Sequence, residues 1–176
     1  MSIFQLVDKD NTMLKIPLSG VSEDCDRKEL KENLIETMKN FKGIGLSANQ
    51  VGIMERVFVM YDNFSERSII ACFNPQIVGE SKETTYEEEG CLSYPGLFVK
   101  IRRPRAVNVE FEDENGTKQE LILDGLESRV FQHEYDHMEG KTFIQKANRV
   151  ALDMAKKKKR KNEKSWEKLL DKTQKA

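Results

Sequence analysis

A chain of 176 residues is long enough for one domain with a substantial core. Hydrophobic residues make up 38% and charged residues 34%, no apolar run reaches the length of a bilayer crossing, and Met1 to Asp10 shows no basic segment leading into a long apolar one. This composition speaks against a membrane span and a secretory leader, and a reducing cytoplasm is the expected location. The net charge of −1 conceals an asymmetry: residues 146–176 hold 12 basic and 4 acidic side chains, so an acidic body carries a basic tail suited to a polyanionic partner.

In chain order, the first 20 residues read as a short strand plus loop. Asp24 or Ser22 is placed to cap a helix from about Asp26 to Lys42, whose apolar positions Leu30, Leu34, Ile35, Met38 and Phe41 recur at helical spacing. Gly43 is its stop. Strands are predicted over Arg56 to Tyr61, over Ser68 to Phe73 ending at Asn74-Pro75, over Thr84 to Glu88 and over Phe98 to Ile101. Ala106 to Glu112 alternates apolar and polar residues, Asn115-Gly116 is a hairpin turn signal, and Glu120 to Asp124 is the return strand. A second helix is expected over Leu126 to Met138 with Gly140 as its stop. A last one begins near Asn148, with Val150, Ala151, Met154 and Ala155 as its apolar face.

The predicted class is α+β: mixed or antiparallel strands packed around a central HExxH helix, with an N-terminal helix and a basic C-terminal helix. Residues 1–155 form the expected catalytic domain and residues 156–176 a basic helical extension.

His133 and His137 are the chain's only histidines, and they frame His133-Glu134-Tyr135-Asp136-His137. Residues four apart share a helix face with Cβ atoms about 5–6 Å apart, so both imidazoles converge on one ion. Glu134 then reaches a bound water without being a ligand. A catalytic centre needs a third ligand and an open position. Phe143 stands where one metalloprotease class places a third histidine, while a downstream glutamate, Glu163 or Glu167, lies in the basic tail. A soft third ligand falls to a cysteine. Cys91, in Glu89-Gly90-Cys91-Leu92-Ser93, sits in a loop able to approach a metal, although a buried structural thiol is the ordinary alternative. Cys72, beside Phe73, reads as a core thiol, and Cys25 has no evident partner. Asp136 faces away from the metal and is free to pair with an arginine, Arg103 being the candidate.

Three segments in this order resemble the peptide deformylase family: Gly43-Ile44-Gly45-Leu46-Ser47-Ala48-Asn49-Gln50, then Glu89-Gly90-Cys91-Leu92-Ser93, then His133-Glu134-Tyr135-Asp136-His137. The chain departs from the family's usual pattern at Ser47, where alanine is common, and at Arg129, where an apolar residue near the side-chain pocket is usual. The resemblance implies hydrolysis of the N-formyl group of formylmethionyl polypeptides, releasing formate. It implies Cys91, His133 and His137 as metal ligands, Glu134 as general acid/base, and Gln50 with the Leu92 N–H as the oxyanion site. It implies one divalent ion, Fe2+ first, with Zn2+, Ni2+ or Co2+ able to occupy the same site. Gly43, Gly45 and Gly90 suit close backbone approach to a peptide, and Ile44, Leu126 and Val130 suit an apolar pocket for the methionine side chain.

The basic tail is read either as a solvated helix end or as a ribosomal RNA contact. Two further functions stand beside the deformylase one: a zinc endopeptidase using Glu163 or Glu167 as third ligand, and a non-catalytic RNA-binding relative.

Overall fold

The computed structural model describes residues 2–63 and 65–174. Among the described residues the N-terminal segment holds no strand, contrary to expectation. It leads through a turn at residues 9–10 to a 3-10 turn, Thr12–Lys15, whose N-cap Asn11 accepts from the Met13 N–H. Helix α1 (Arg27–Asn40) is capped by Asp26, which accepts from the Glu29 N–H at 3.0 Å; neither Asp24 nor Ser22 takes that role. An aspartate directly before the first helical residue satisfies an amide that the helix leaves open.

Strands β1 (Gly45–Ser47), β2 (Val57–Asn63), β3 (Ser68–Glu80), β6 (Ala106–Glu112) and β7 (Lys118–Asp124) form one sheet in the order β1-β2-β3-β6-β7. Strands β4 (Thr84–Glu89) and β5 (Val99–Pro104) form a separate hairpin. Every pairing is antiparallel. β3 runs past Asn74-Pro75, where the sequence predicts its end. Asn74 turns to φ 50° and the ladder to β6 shifts register between Phe73 and Gln76. A bulge is where a strand tolerates a proline, which has no N–H to give the ladder.

β2 is buried on both faces. Val57 and Val59 join Leu30, Leu34, Met38, Leu46 and Phe73 in a core beneath α1. Phe58 and Met60 join Cys72, Val109, Val130, Phe131 and Met138 in a core beneath helix α2 (Gly125–Met138). The Phe58 and Phe131 rings meet edge to face at 5.0 Å. α2 packs against β1, β2, β6 and β7 of the large sheet and against β5 of the hairpin. Cys72 is fully buried, as the sequence suggests.

A short helix α3 (Phe143–Lys146) and a long helix α4 (Arg149–Gln174) follow. Ala151, Leu152 and Ala155 of α4 pack on a third cluster, Tyr94, Leu97, Val99, Ile101 and Phe143. Residues 175 and 176 of the expected tail lie outside the described residues. No described helix is long and apolar enough to cross a membrane.

Candidate metal centre

Three segments distant in sequence meet at one end of α2. The loop 90–98 closes the β4–β5 hairpin, whose last pair is Glu89 with Val99, and carries Cys91. α2 presents His133 and His137 on one face, their ring centroids 5.4 Å apart. β1 and the 3-10 turn Ala48–Val51 supply Gly45, Ser47, Asn49 and Gln50. Ligand atoms of Cys91, His133 and His137 all lie within 4.8 Å of one another, and Cys91 Sγ is 3.4 Å from His137 Nε2. One cysteine sulfur and two imidazole nitrogens at this spacing form a group able to hold a single metal ion.

Burial, with the nearby charges of His133 and Arg103, holds the His137 pKa well below the ordinary histidine value. Burial opposes charge on His133 too, but its contacts with Cys91 and Glu89 prevail and lift it to about 10. Phe143, at the position of the metalloprotease third histidine, does not ligate; its ring packs 5.7 Å from that of His133. Glu163 pairs with Lys159 and is not part of the ligand cluster found among the described residues. The side chain of Glu167 lies outside the described residues.

Glu89 anchors His133. Its Oε2 lies 3.2 Å from His133 Nδ1, which directs Nε2 of that ring toward the cluster. The same carboxylate accepts from Arg103 Nε at 2.5 Å, Arg103 Nη2 at 2.8 Å and Arg129 Nη1 at 2.6 Å. Burial raises the Glu89 pKa, but Arg103 and His133 outweigh it and bring it to about 2. Arg103 also bonds Asp136 Oδ2 at 2.8 Å, the pairing expected from the sequence, and Lys146 reaches Asp136 Oδ1 at 2.9 Å. The hub role of Glu89 was not legible in the sequence; the only signal was an acidic residue within a strand, two positions before the cysteine. Arg129, read as an oddity, is the third cation-bearing strut: it also bonds Ile101 O and Thr85 Oγ1.

Glu134 is buried, and its carboxylate accepts from the Ser47 hydroxyl. Burial raises its pKa, against the lowering influence of His133 and Ser47. Gly45 lies against it: a Cβ there would stand 2.5 Å from Glu134 Oε1. Gln50 is 1% exposed. Its Oε1 accepts from Ser47 N at 2.9 Å, while its Nε2 donates to Ser93 Oγ at 3.0 Å and contacts Cys91 Sγ at 3.3 Å. The Leu92 N–H has no protein acceptor among the described residues.

A cleft of about 640 Å³ opens onto this centre. Gly43, Ile44, Gly45, Gly90, Leu126 and Val130, the residues expected to hold substrate, all line it, together with Cys91, Leu92, His133 and Glu134. Gln50 and His137 lie behind that lining. The walls are mainly apolar, and Ile44 and Leu126 are half exposed at the rim.

The family described as polypeptide deformylase matches residues 3–153. The peptide deformylase of Thermotoga petrophila is 43% identical over 113 residues, covering 64% of this chain and 67% of that protein. The peptide deformylase of Treponema pallidum is 38% identical over 144 residues, covering 82% and 86%. The crystal structure of peptide deformylase from Thermotoga maritima superposes with a TM-score of 0.79 at 35% identity, covering 84% of this chain and 99% of that one. That from Synechococcus elongatus, in complex with actinonin, gives 0.80 at 36% identity, covering 89% and 85%.

Proposed function

The chain belongs to the peptide deformylase family, and from that premise we propose that Cys91, His133 and His137 hold its metal, that Fe2+ is the native ion, and that Glu134 moves the proton. The activity is hydrolytic removal of the formyl group from nascent polypeptides. The observation that carries the site assignment is the approach of one sulfur and two imidazoles to within 4.8 Å beside a buried carboxylate.

The substrate's first side chain enters the apolar cleft between Ile44, Leu126 and Val130, and its backbone runs along the cleft wall that holds Gly43, Gly45 and Gly90. When bound, the divalent ion supplies Lewis acidity that acidifies a water and polarises the formyl oxygen. Glu134 takes the water's proton at Oε1, the oxygen beside Gly45, and passes it to the departing amine nitrogen. The Ser47 hydroxyl holds the other oxygen of the carboxylate. As the formyl carbon becomes tetrahedral, the Leu92 N–H and one Nε2 hydrogen of Gln50, turned from Cys91, donate to its oxygen; losing one such donor costs about 2.7–4 kcal/mol of barrier. We read α2 as the helix around which both sheets arrange these groups.

On this reading the protein works in the cytoplasm, where chains are made. The outer face of α4, with Lys157, Arg160, Lys161 and Lys164 clustered together, is proposed to dock on ribosomal RNA, with binding that weakens steeply as salt rises.

The test is an anaerobic assay of formate release from a short formylmethionyl peptide, paired with metal analysis of Cys91→Ser. Formate release by the wild type and loss of bound metal in the variant are expected. Full metal content in the variant would remove Cys91 from the ligand set. A chain ending at Ala155 is expected to keep peptide activity and lose ribosome affinity; unchanged affinity would rule the docking out.

A further inference from the structure

A second groove opens beside the cleft. The face of α4 that docks through Ala151, Leu152 and Ala155 continues one turn on as Lys158, Lys159 and Asn162. With Glu163 these side chains wall a hollow of about 360 Å³ against Gly96 and Phe98. Gly96 and Phe98 also line the catalytic cleft, so the two spaces share a wall. That wall is an aromatic shelf: Phe98 is 59% exposed, and its ring covers Gly90 so closely that a Cβ there would stand 2.6 Å from it. The α4 wall of the groove carries two lysines and one glutamate, and Glu163 is paired only loosely, at 3.7 Å, with Lys159 one turn before it. The groove is net positive.

We propose that the nascent chain leaves the cleft over Phe98 and runs along the inner face of α4, where Lys158 and Lys159 favour substrates with acidic residues downstream of formylmethionine. The inference rests on the deformylase reading of the cleft. A peptide held by its first residue offers the following ones to the neighbouring groove at high local concentration, so weak contacts register. Each extended residue advances the chain by about 3.3 Å, so a few residues carry it past Phe98. The groove's continuity with the cleft favours a peptide over RNA here. The RNA-like stripe of Lys157, Arg160, Lys161 and Lys164 belongs to a different face.

The test uses the full chain, metal-loaded, and two formyl octapeptides that differ only in carrying glutamate or glutamine at their downstream positions. The wild type is compared with Lys158→Ser/Lys159→Ser and with the outer-face control Lys157→Ser/Lys161→Ser. All four residues are on the surface of α4, so folding is retained. Two exposed charge contacts give about a fivefold lower KM for the acidic peptide, with kcat unchanged. That preference disappears in the inner-face variant and at high salt, and persists in the control. Equal KM values in the wild type, or a preference retained by the inner-face variant, would overturn the proposal. So would an inner-face variant that loses ribosomal RNA binding and nothing else. Formate released from neither peptide by the wild type would instead overturn the deformylase reading, and this one with it.

Discussion

A methyl group at position 45 would meet Glu134 Oε1 at 2.5 Å; β1 is held to β2, so the Glu134 carboxylate, which borders the cleft, is the partner that shifts. Gly45→Ala is therefore expected to fold and to keep its metal, yet to lose about tenfold to a hundredfold in kcat, because a displacement near 1 Å in a catalytic group has that effect. A steady-state assay beside metal analysis checks it; unchanged kcat would show that Glu134 is not held where proton transfer occurs. Arg103 makes a different demand. It is 1% exposed and neutralises both Glu89 and Asp136. Arg103→Met leaves two buried carboxylates short of a partner and should destabilise the fold by about 3–5 kcal/mol. Lys31→Ala, which breaks the more exposed pair with Glu114, should cost no more than about 1 kcal/mol. Urea denaturation of both separates the cases. The histidine pair was legible because i and i+4 meet through local geometry alone. The hub at Glu89 was not, because its partners come from β5 and α2, and only the folded register of β4 on β5 aims it at them.

At the scale of elements, the sequence located α1, α2 and β6 to within a residue or two, since α1 buries one face, β6 alternates cleanly and α2 is bracketed by Gly125 and Gly140. The C-terminal end of β3 escaped it: a proline reads locally as a stop, while pairing to β6 carries the strand through a bulge. β1 escaped because three residues beginning with glycine give no pattern, and its existence depends on β2 beside it. α4 shows where an element's stability resides. Among the residues whose side chains are described, its apolar docking contacts end at Ala155; truncation after that residue is expected to shift Tm by less than about 2–4 °C, the equivalent of roughly 1 kcal/mol. Phe131→Ala, which removes a ring packed on Phe58 under α2, should cost about 3–5 kcal/mol. Calorimetry of the two side by side would expose a reversed order.

For the molecule as a whole, the three cysteines occupy three physical situations, only one of which serves the proposed chemistry. All are unpaired. Burial raises the thiol of Cys72 well above its ordinary value and shields it, whereas Cys25 is half-buried and raised less. Alkylation at mildly alkaline pH should label Cys25 in the native protein and Cys72 only after denaturation, as peptide mass spectrometry would show; native labelling of Cys72 would mean that the interior opens readily. The α+β class was legible from the order of patterns. The positions of the two cores relative to one another were not, because they follow from which face each β2 side chain takes.

That shared strand has a consequence for how the molecule comes apart. Alternate side chains of β2 belong to opposite interiors, so neither half can melt while the other keeps its ladder. Heat should dissolve both together, with the calorimetric and van't Hoff enthalpies in agreement. No remnant carrying the histidines on a surviving helix should persist above the transition.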